Sequence, residues 1–245
     1  MSGHSKWSNI QGRKNAQDTK RGKTFQKISK EIFVAAKSGG DDATSNPALR
    51  LALDKAKRNN MPNANIQRAI KKATSSEDTE HYEEVTYEGY GPNGVAILVH
   101  ALTDNRNRTA TNVRVLFNKN GGALGETGSV SYLFERKGYL EINRQSLDMT
   151  EEAFLLLVLD LGAEDLEISD DMFCVYTDGA SFTAVRGGLE AQGFHLEHSE
   201  LTMVPQTTVA LNQREAQKVQ NLVGKLEEDE DVSEVFTSLA VKEEE

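Results

Sequence analysis

The apolar residues of this chain change period once, and that change limits it to two kinds of structure in series. From Phe25 to Ala73 they recur every three or four residues, the repeat of a helix with one buried face. From about Glu84 onward they alternate or cluster in short blocks, the repeat of strands, with helical runs between them.

The helical part has internal punctuation. The first run places Phe25, Ile28, Ile32, Phe33 and Ala36 on one side and Lys27, Lys30, Glu31 and Lys37 on the other, and Ser38-Gly39-Gly40 ends it. Asn46-Pro47 opens the second, with Asn as cap and Pro in the first turn. Its stripe is Leu49, Ala52, Leu53 and Ala56, its outer side Arg50, Lys57 and Arg58, and Asn59-Asn60-Met61-Pro62 breaks it. The third turns Ile66, Ala69, Ile70 and Ala73 inward and Arg68, Lys71 and Lys72 outward. Three short amphipathic helices can bury their stripes only against one another, which predicts a small bundle over 24–75 behind a basic arm, 1–23.

Charge changes sign where the period changes. Residues 1–75 hold 16 Lys and Arg against 5 Asp and Glu, and residues 76–245 hold 12 against 33. A basic head on an acidic body attracts phosphate at one end and repels it at the other. The arm concentrates Lys6, Arg13, Lys14, Lys20, Arg21 and Lys23 around Trp7, the single tryptophan. Cations neutralise phosphates and release counterions, and an indole can stack on a base. With Lys27, Lys30, Arg58, Arg68, Lys71 and Lys72 these residues form the expected nucleic-acid-binding set. The plainer alternative is a solvated basic face with Trp7 in a core.

After the linker Thr74–Asp78, strands are expected at Glu84–Tyr90 and Val95–Thr103, around the turn Gly91-Pro92-Asn93-Gly94. A helix to about Asn120 and a strand at Val130–Glu135 follow. Arg136-Lys137-Gly138 reads as a turn into a separate unit of strand (Tyr139–Asn143), helix (Glu151–Leu161), two strands (Glu164–Ile168, Phe173–Thr177), helix (Phe182–Gln192) and strand (His195–Val204). That βαββαβ order is the ferredoxin-like pattern. The tail adds a strand at Thr207–Leu211, a helix from Asn212 to about Glu228 and a strand at Val232–Val241, which 84–135 lacks. The expected class is α+β: a three-helix domain and two ferredoxin-like domains. One of these is discontinuous (80–136 with 206–241), and the other is inserted in it (137–205).

Asn105, Arg106, Arg108 and Thr109 lie between a strand and a helix start. There, free N–H groups and arginines either bind an anion or cap the helix locally. Gly121, Gly122, Gly125 and Gly128 follow a helix and precede a strand, the reverse of a phosphate-binding loop, so turn and cap roles are expected. His195 and His198 would face opposite sides of a strand, and Cys174 sits in an apolar strand. No metal, cofactor or catalytic group is therefore expected. No apolar run approaches membrane-spanning length and no leader precedes the basic motif, which predicts a cytoplasmic protein without a membrane partner.

GHSKWSNIQGRK from Gly3 and DTKRGKTFQKISKEI from Asp18 resemble the N-terminus of the YebC family. That family includes PmpR-type regulators and the mitochondrial translational activator of cytochrome oxidase. NPALRLALDKAKRNNMP from Asn46, YEGYGPNGVAILVHALTDNRNRT from Tyr87 and NKNGGALGETGSVSYLFERKG from Asn118 are also similar to it, and the similarity thins after Gly138. The resemblance implies the same three-domain layout and a DNA-binding transcriptional regulator. It also implies an alternative, a ribosome-associated translation factor that meets ribosomal RNA with its basic head and a protein or tRNA with its acidic domains. A metal-dependent nuclease or phosphotransferase is the reading of another class, for which the residues supply no constellation.

Overall fold

The computed structural model describes residues 21–75, 80–146, 149–169 and 171–242. Their internal contacts divide the chain into two compact units: Met1–Phe134 with Pro205–Glu245, and Glu135–Val204.

The first unit begins with α1 (Arg21–Gly39), α2 (Pro47–Arg58) and α3 (Asn63–Thr74). Their stripes meet in a core where Ile28, Ile32, Leu49 and Ala56 are fully buried, with Phe33, Met61, Ile66 and Ala69 around them. Each large apolar side chain buried there contributes about 1.5–3 kcal/mol. Asn46 ties the bundle together. Its Oδ1 accepts from Leu49 N at 3.0 Å, and its Nδ2 donates to Ala35 O and Gly40 O, each at 2.8 Å. One side chain thus caps α2 and closes the end of α1.

The same unit holds a sheet of β1 (Glu83–Tyr90), β2 (Ala96–Thr103), β3 (Ala123–Leu124) and β9 (Val232–Thr237), in the order β3-β1-β2-β9. Helices α4 (Arg106–Lys119) and α7 (Gln213–Glu227) bury Val113, Phe117, Val219, Leu222 and Leu226 against Val95, Ile97 and Val99. The tail enters this sheet directly, since β9 pairs antiparallel with β2 from Ile97↔Thr237 to Ala101↔Val232. The single final strand expected at Val232–Val241 is two: after Ser238, β10 (Leu239–Val241) leaves to pair in parallel with β8 (Val209–Leu211).

In the second unit the connection is strand, helix, strand, strand, helix, strand. The elements are β4 (Phe134–Asn143), α5 (Glu151–Asp160), β5 (Asp165–Ile168), β6 (Met172–Asp178), α6 (Phe182–Ala191) and β7 (His198–Pro205), with sheet order β5-β6-β4-β7. Phe154, Val158, Phe182, Val185 and Leu189 are buried, and the Phe154 ring lies 4.7 Å from that of Phe173.

Two local expectations fail for physical reasons. Val130–Glu135 is not one strand: Ser131–Leu133 is a tight helical turn, because the amides of Val130 and Ser131 donate to Glu88. Arg136-Lys137-Gly138 is not a turn but the middle of β4, with Gly138 opposite Thr177. A Cβ on Gly138 would sit 2.3 Å from Thr177 Oγ1 and 2.4 Å from Phe182 Cδ2, so the glycine serves close approach, not reversal.

Candidate nucleic-acid interface

Lys23, Lys27 and Lys30 fall at i, i+4 and i+7 of α1 and so share one row of that helix. The row does not face solvent alone. Lys23 Nζ donates to Glu228 O at 3.3 Å, Lys27 Nζ to Glu227 O at 2.6 Å and Lys30 Nζ to Glu230 O at 3.1 Å. These carbonyls lie at and just past the C-terminal end of α7, where a helix leaves acceptors unsatisfied and its dipole is negative. Burial pulls the Lys27 ammonium down to about 8, although Asp229 and Glu227 oppose it.

Asp231 anchors this contact. It is 4 % exposed and accepts from Lys30 Nζ at 2.9 Å, Arg108 at 2.6 and 3.2 Å, and Thr109 Oγ1 at 2.8 Å. Burial alone would raise its carboxyl, but the donors Arg108, Lys30 and Thr109 outweigh that and hold it at about 2. Lys55 of α2 makes a second junction, 2.7 Å from Glu31 on α1 and 3.2 Å from Glu234 on β9. Burial lowers the Lys55 ammonium, yet Glu234 and Glu31 together raise it above its ordinary value, while burial pushes Glu31 up.

The first turn of α4 thus meets the chain's own carboxylate, Asp231, through Arg108 and Thr109. Asn105 caps α4 by accepting from Arg108 N at 3.1 Å, and Arg108 also reaches Asp104 at 2.8 Å. Arg106 is exposed beside them. The glycine-rich segment behaves alike. Gly128 N, Val130 N and Ser131 N donate to the buried Glu88 carboxylate at 2.8, 2.8 and 2.7 Å. Burial would raise Glu88, but these three amides hold it below the usual carboxylate range. Gly128 takes φ +88, which lets the chain curl around that carboxylate.

Other expected contacts lie elsewhere. Lys6, Trp7, Arg13, Lys14 and Lys20 fall outside the described residues, and Arg21 is described only as the start of α1. Arg58, Arg68, Lys71 and Lys72 are exposed on α2 and α3, and Lys72 lies 2.6 Å from Glu80. Lys57, also exposed, adjoins Arg58. Asp231, Glu227 and Glu228 are partners of the basic row that helical spacing does not reveal. Their signal was available as charge complementarity between an i, i+4, i+7 lysine row and the acidic run Glu227–Asp231.

Among the described residues no three His, Cys, Asp or Glu side chains are grouped to hold a metal, and no helix is long and apolar enough to cross a membrane. Cys174 is buried and accepts from Tyr139 OH at 3.3 Å, and burial pushes its thiol up. His198 pairs with Glu200 at 2.9 Å, while His195 precedes β7 rather than lying in it.

A helical module with exposed cations, clamped by lysines to an acidic α/β body, suits the class of regulatory proteins associated with nucleic acid. Residues 5–76 match the family description "TACO1/YebC protein N-terminal domain", and residues 82–239 match "TACO1/YebC second and third domain". The chain belongs to the TACO1/YebC family. A relative from Enterococcus faecalis, named "Probable transcriptional regulatory protein", is 65% identical over 97% of this chain and 98% of its own length. One from Bacillus licheniformis with the same description is 59% identical over 98% of this chain and 100% of its own. The crystal structure of a conserved hypothetical protein from Aquifex aeolicus is 45% identical, with TM-score 0.77 and 93% of each chain covered.

Proposed function

We propose that this protein is a non-enzymatic, cytoplasmic nucleic-acid-binding regulator of gene expression, acting through the helical module and the basic arm before it. The observation that carries this is the exposed cation set Lys57, Arg58, Arg68 and Lys71 on α2 and α3, in a chain whose residues 76–245 hold 33 Asp and Glu against 12 Lys and Arg. With Lys23, Lys27 and Lys30 engaged on the body, the exposed face of α2 and α3 and the arm are what this reading sets against phosphates.

Transcriptional control through DNA is the first reading, supported by the names of the relatives. Binding of ribosomal RNA within the ribosome is the second. It is favoured by cations spread over two helices, which suits backbone contact more than base reading by one recognition helix. The strand order β5-β6-β4-β7 with its βαββαβ connection supports a ferredoxin-like reading of the second unit, and 80–136 with 206–241 is read as its discontinuous counterpart.

The test replaces Arg58, Arg68 and Lys71 by Gln and measures binding to defined duplexes and to purified ribosomes across a salt series. The slope of log K against log salt should flatten by about 2–3, roughly 0.7–0.9 for each lost phosphate contact. Preference for one duplex over its scrambled form supports transcription, and tight ribosome binding without duplex preference supports translation. An unchanged slope on both would overturn the reading.

A further inference from the structure

Helix α5 in the second unit is apolar on more faces than its fold uses. Phe154 and Val158, one turn apart, are fully buried, and Phe154 packs against Phe173 and Phe194 with ring centres 4.7 and 5.5 Å away. That row anchors the helix. Leu155 and Leu159 form an adjoining row and Leu156 the next, and these three are 38, 43 and 64% exposed. Met149, just ahead of the helix, and Ile168, on the edge strand β5 opposite Phe173, are exposed as well. Single exposed leucines are ordinary, but a stripe of them on one helix marks a contact surface.

Charge says what kind of contact. Glu135–Val204 contains 15 Asp and Glu against 4 Lys and Arg. Three of those four cations are already engaged: Lys137 with Glu164 at 2.7 Å, Arg186 with Glu190 at 3.0 Å, and Arg144 with Glu151. Glu152 and Asp160, both exposed, lie four residues to either side of Leu156 in the same row, about 12 Å apart at 1.5 Å per residue. A second copy of this chain would set the same acids against each other across a two-fold axis, and nucleic acid would meet the same repulsion.

We propose that the Leu155–Leu156–Leu159 stripe docks a basic amphipathic helix of a partner protein, with apolar side chains on the leucines and Lys or Arg reaching Glu152 and Asp160. The proposal does not depend on the nucleic-acid reading, because it uses a different unit and the opposite charge.

The probe is a fluorescein-labelled Leu/Lys peptide about fourteen residues long whose leucines share one helical face, titrated with the full-length protein. One control has the same residues reordered so that the leucines no longer share a face, and another replaces Lys with Glu. The ordered Leu/Lys peptide should bind at least about tenfold tighter than either control. Leu155→Ser with Leu156→Ser and Leu159→Ser should weaken it about tenfold. So should Leu156→Ser alone, by a smaller factor and with no disturbance of the fold. Glu152→Gln with Asp160→Gln should weaken binding and reduce its salt dependence. Equal affinity for ordered and reordered peptides, or unchanged binding by the triple-Ser variant, would overturn the proposal. So would displacement of the peptide by an oligonucleotide, or a wild-type dimer in sedimentation that the triple-Ser variant turns into monomer.

Discussion

Lys30 Nζ lies 2.9 Å from Asp231 Oδ1, joining the first helix of the basic module to the start of the tail strand β9, two hundred residues later in the chain. The carboxylate also holds Arg108 and Thr109, so one buried group ties three segments of chain together. Asp231→Ala should therefore lower stability by about 1–3 kcal/mol, the cost of leaving charged and polar donors without their acceptor. Lys30→Met should cost less, because Lys30 is partly exposed. Urea unfolding of both single variants and the double variant checks this. Additive effects would show that the pair is not coupled.

The same carboxylate makes stability fall in acid. Asp231 sits at about 2 in the folded protein against an ordinary 3.8, so between those values the unfolded chain binds more protons than the folded one. The contribution is complete above about pH 4 and disappears as pH falls toward 2. Asp231→Asn should flatten the pH dependence of the unfolding free energy in that window. Curves of equal slope for variant and wild type would refute it.

At the alkaline end Lys27 acts in the same sense. Its ammonium is pulled down to about 8 from an ordinary 10.5, so between these values the unfolded chain again holds more protons, and stability should rise with pH. Lys27→Met should remove that rise. Urea midpoints measured on both proteins at the two ends of the window decide the matter.

Glu88→Gln places an amide where three backbone N–H groups expect a carboxylate. The loss of charge-assisted acceptance should cost about 1.5–3 kcal/mol. Hydrogen exchange should speed up at Gly128, Val130 and Ser131 before it does so in β2. Unchanged protection at those three amides would mean that the loop is held by something else.

Gly138→Ala forces a methyl group into space taken by Thr177 and Phe182 and should destabilise the second unit by about 1–3 kcal/mol. If 138 were a turn position, the same change would be nearly silent. Thermal unfolding separates the two.

The helices of the basic module and their buried stripes were legible from spacing alone. Ile28, Ile32, Leu49 and Ile66 could be assigned to a core without a structure, because a 3.6-residue repeat leaves one face for them. The caps at Asn46 and Asn212 were legible for the same local reason, since a side-chain acceptor satisfies an amide three residues on. The short strand β3, the turn at Ser131–Leu133 and the passage of β4 through Gly138 were not, because each depends on a partner far away in sequence.

The division is sharpest at the candidate site. Spacing and charge alone make the head basic and the body acidic, and put Lys27 and Lys30 on the side of a helix away from Ile28 and Ile32. They could not determine what that side meets. A periodic pattern specifies which side of a helix is polar, whereas a salt bridge or a carbonyl contact depends on the three-dimensional approach of segments about two hundred residues apart. Only the tertiary structure, by bringing the C-terminal end of α7 and Asp231 against α1, separated the cations that hold the protein together from those still turned to solvent.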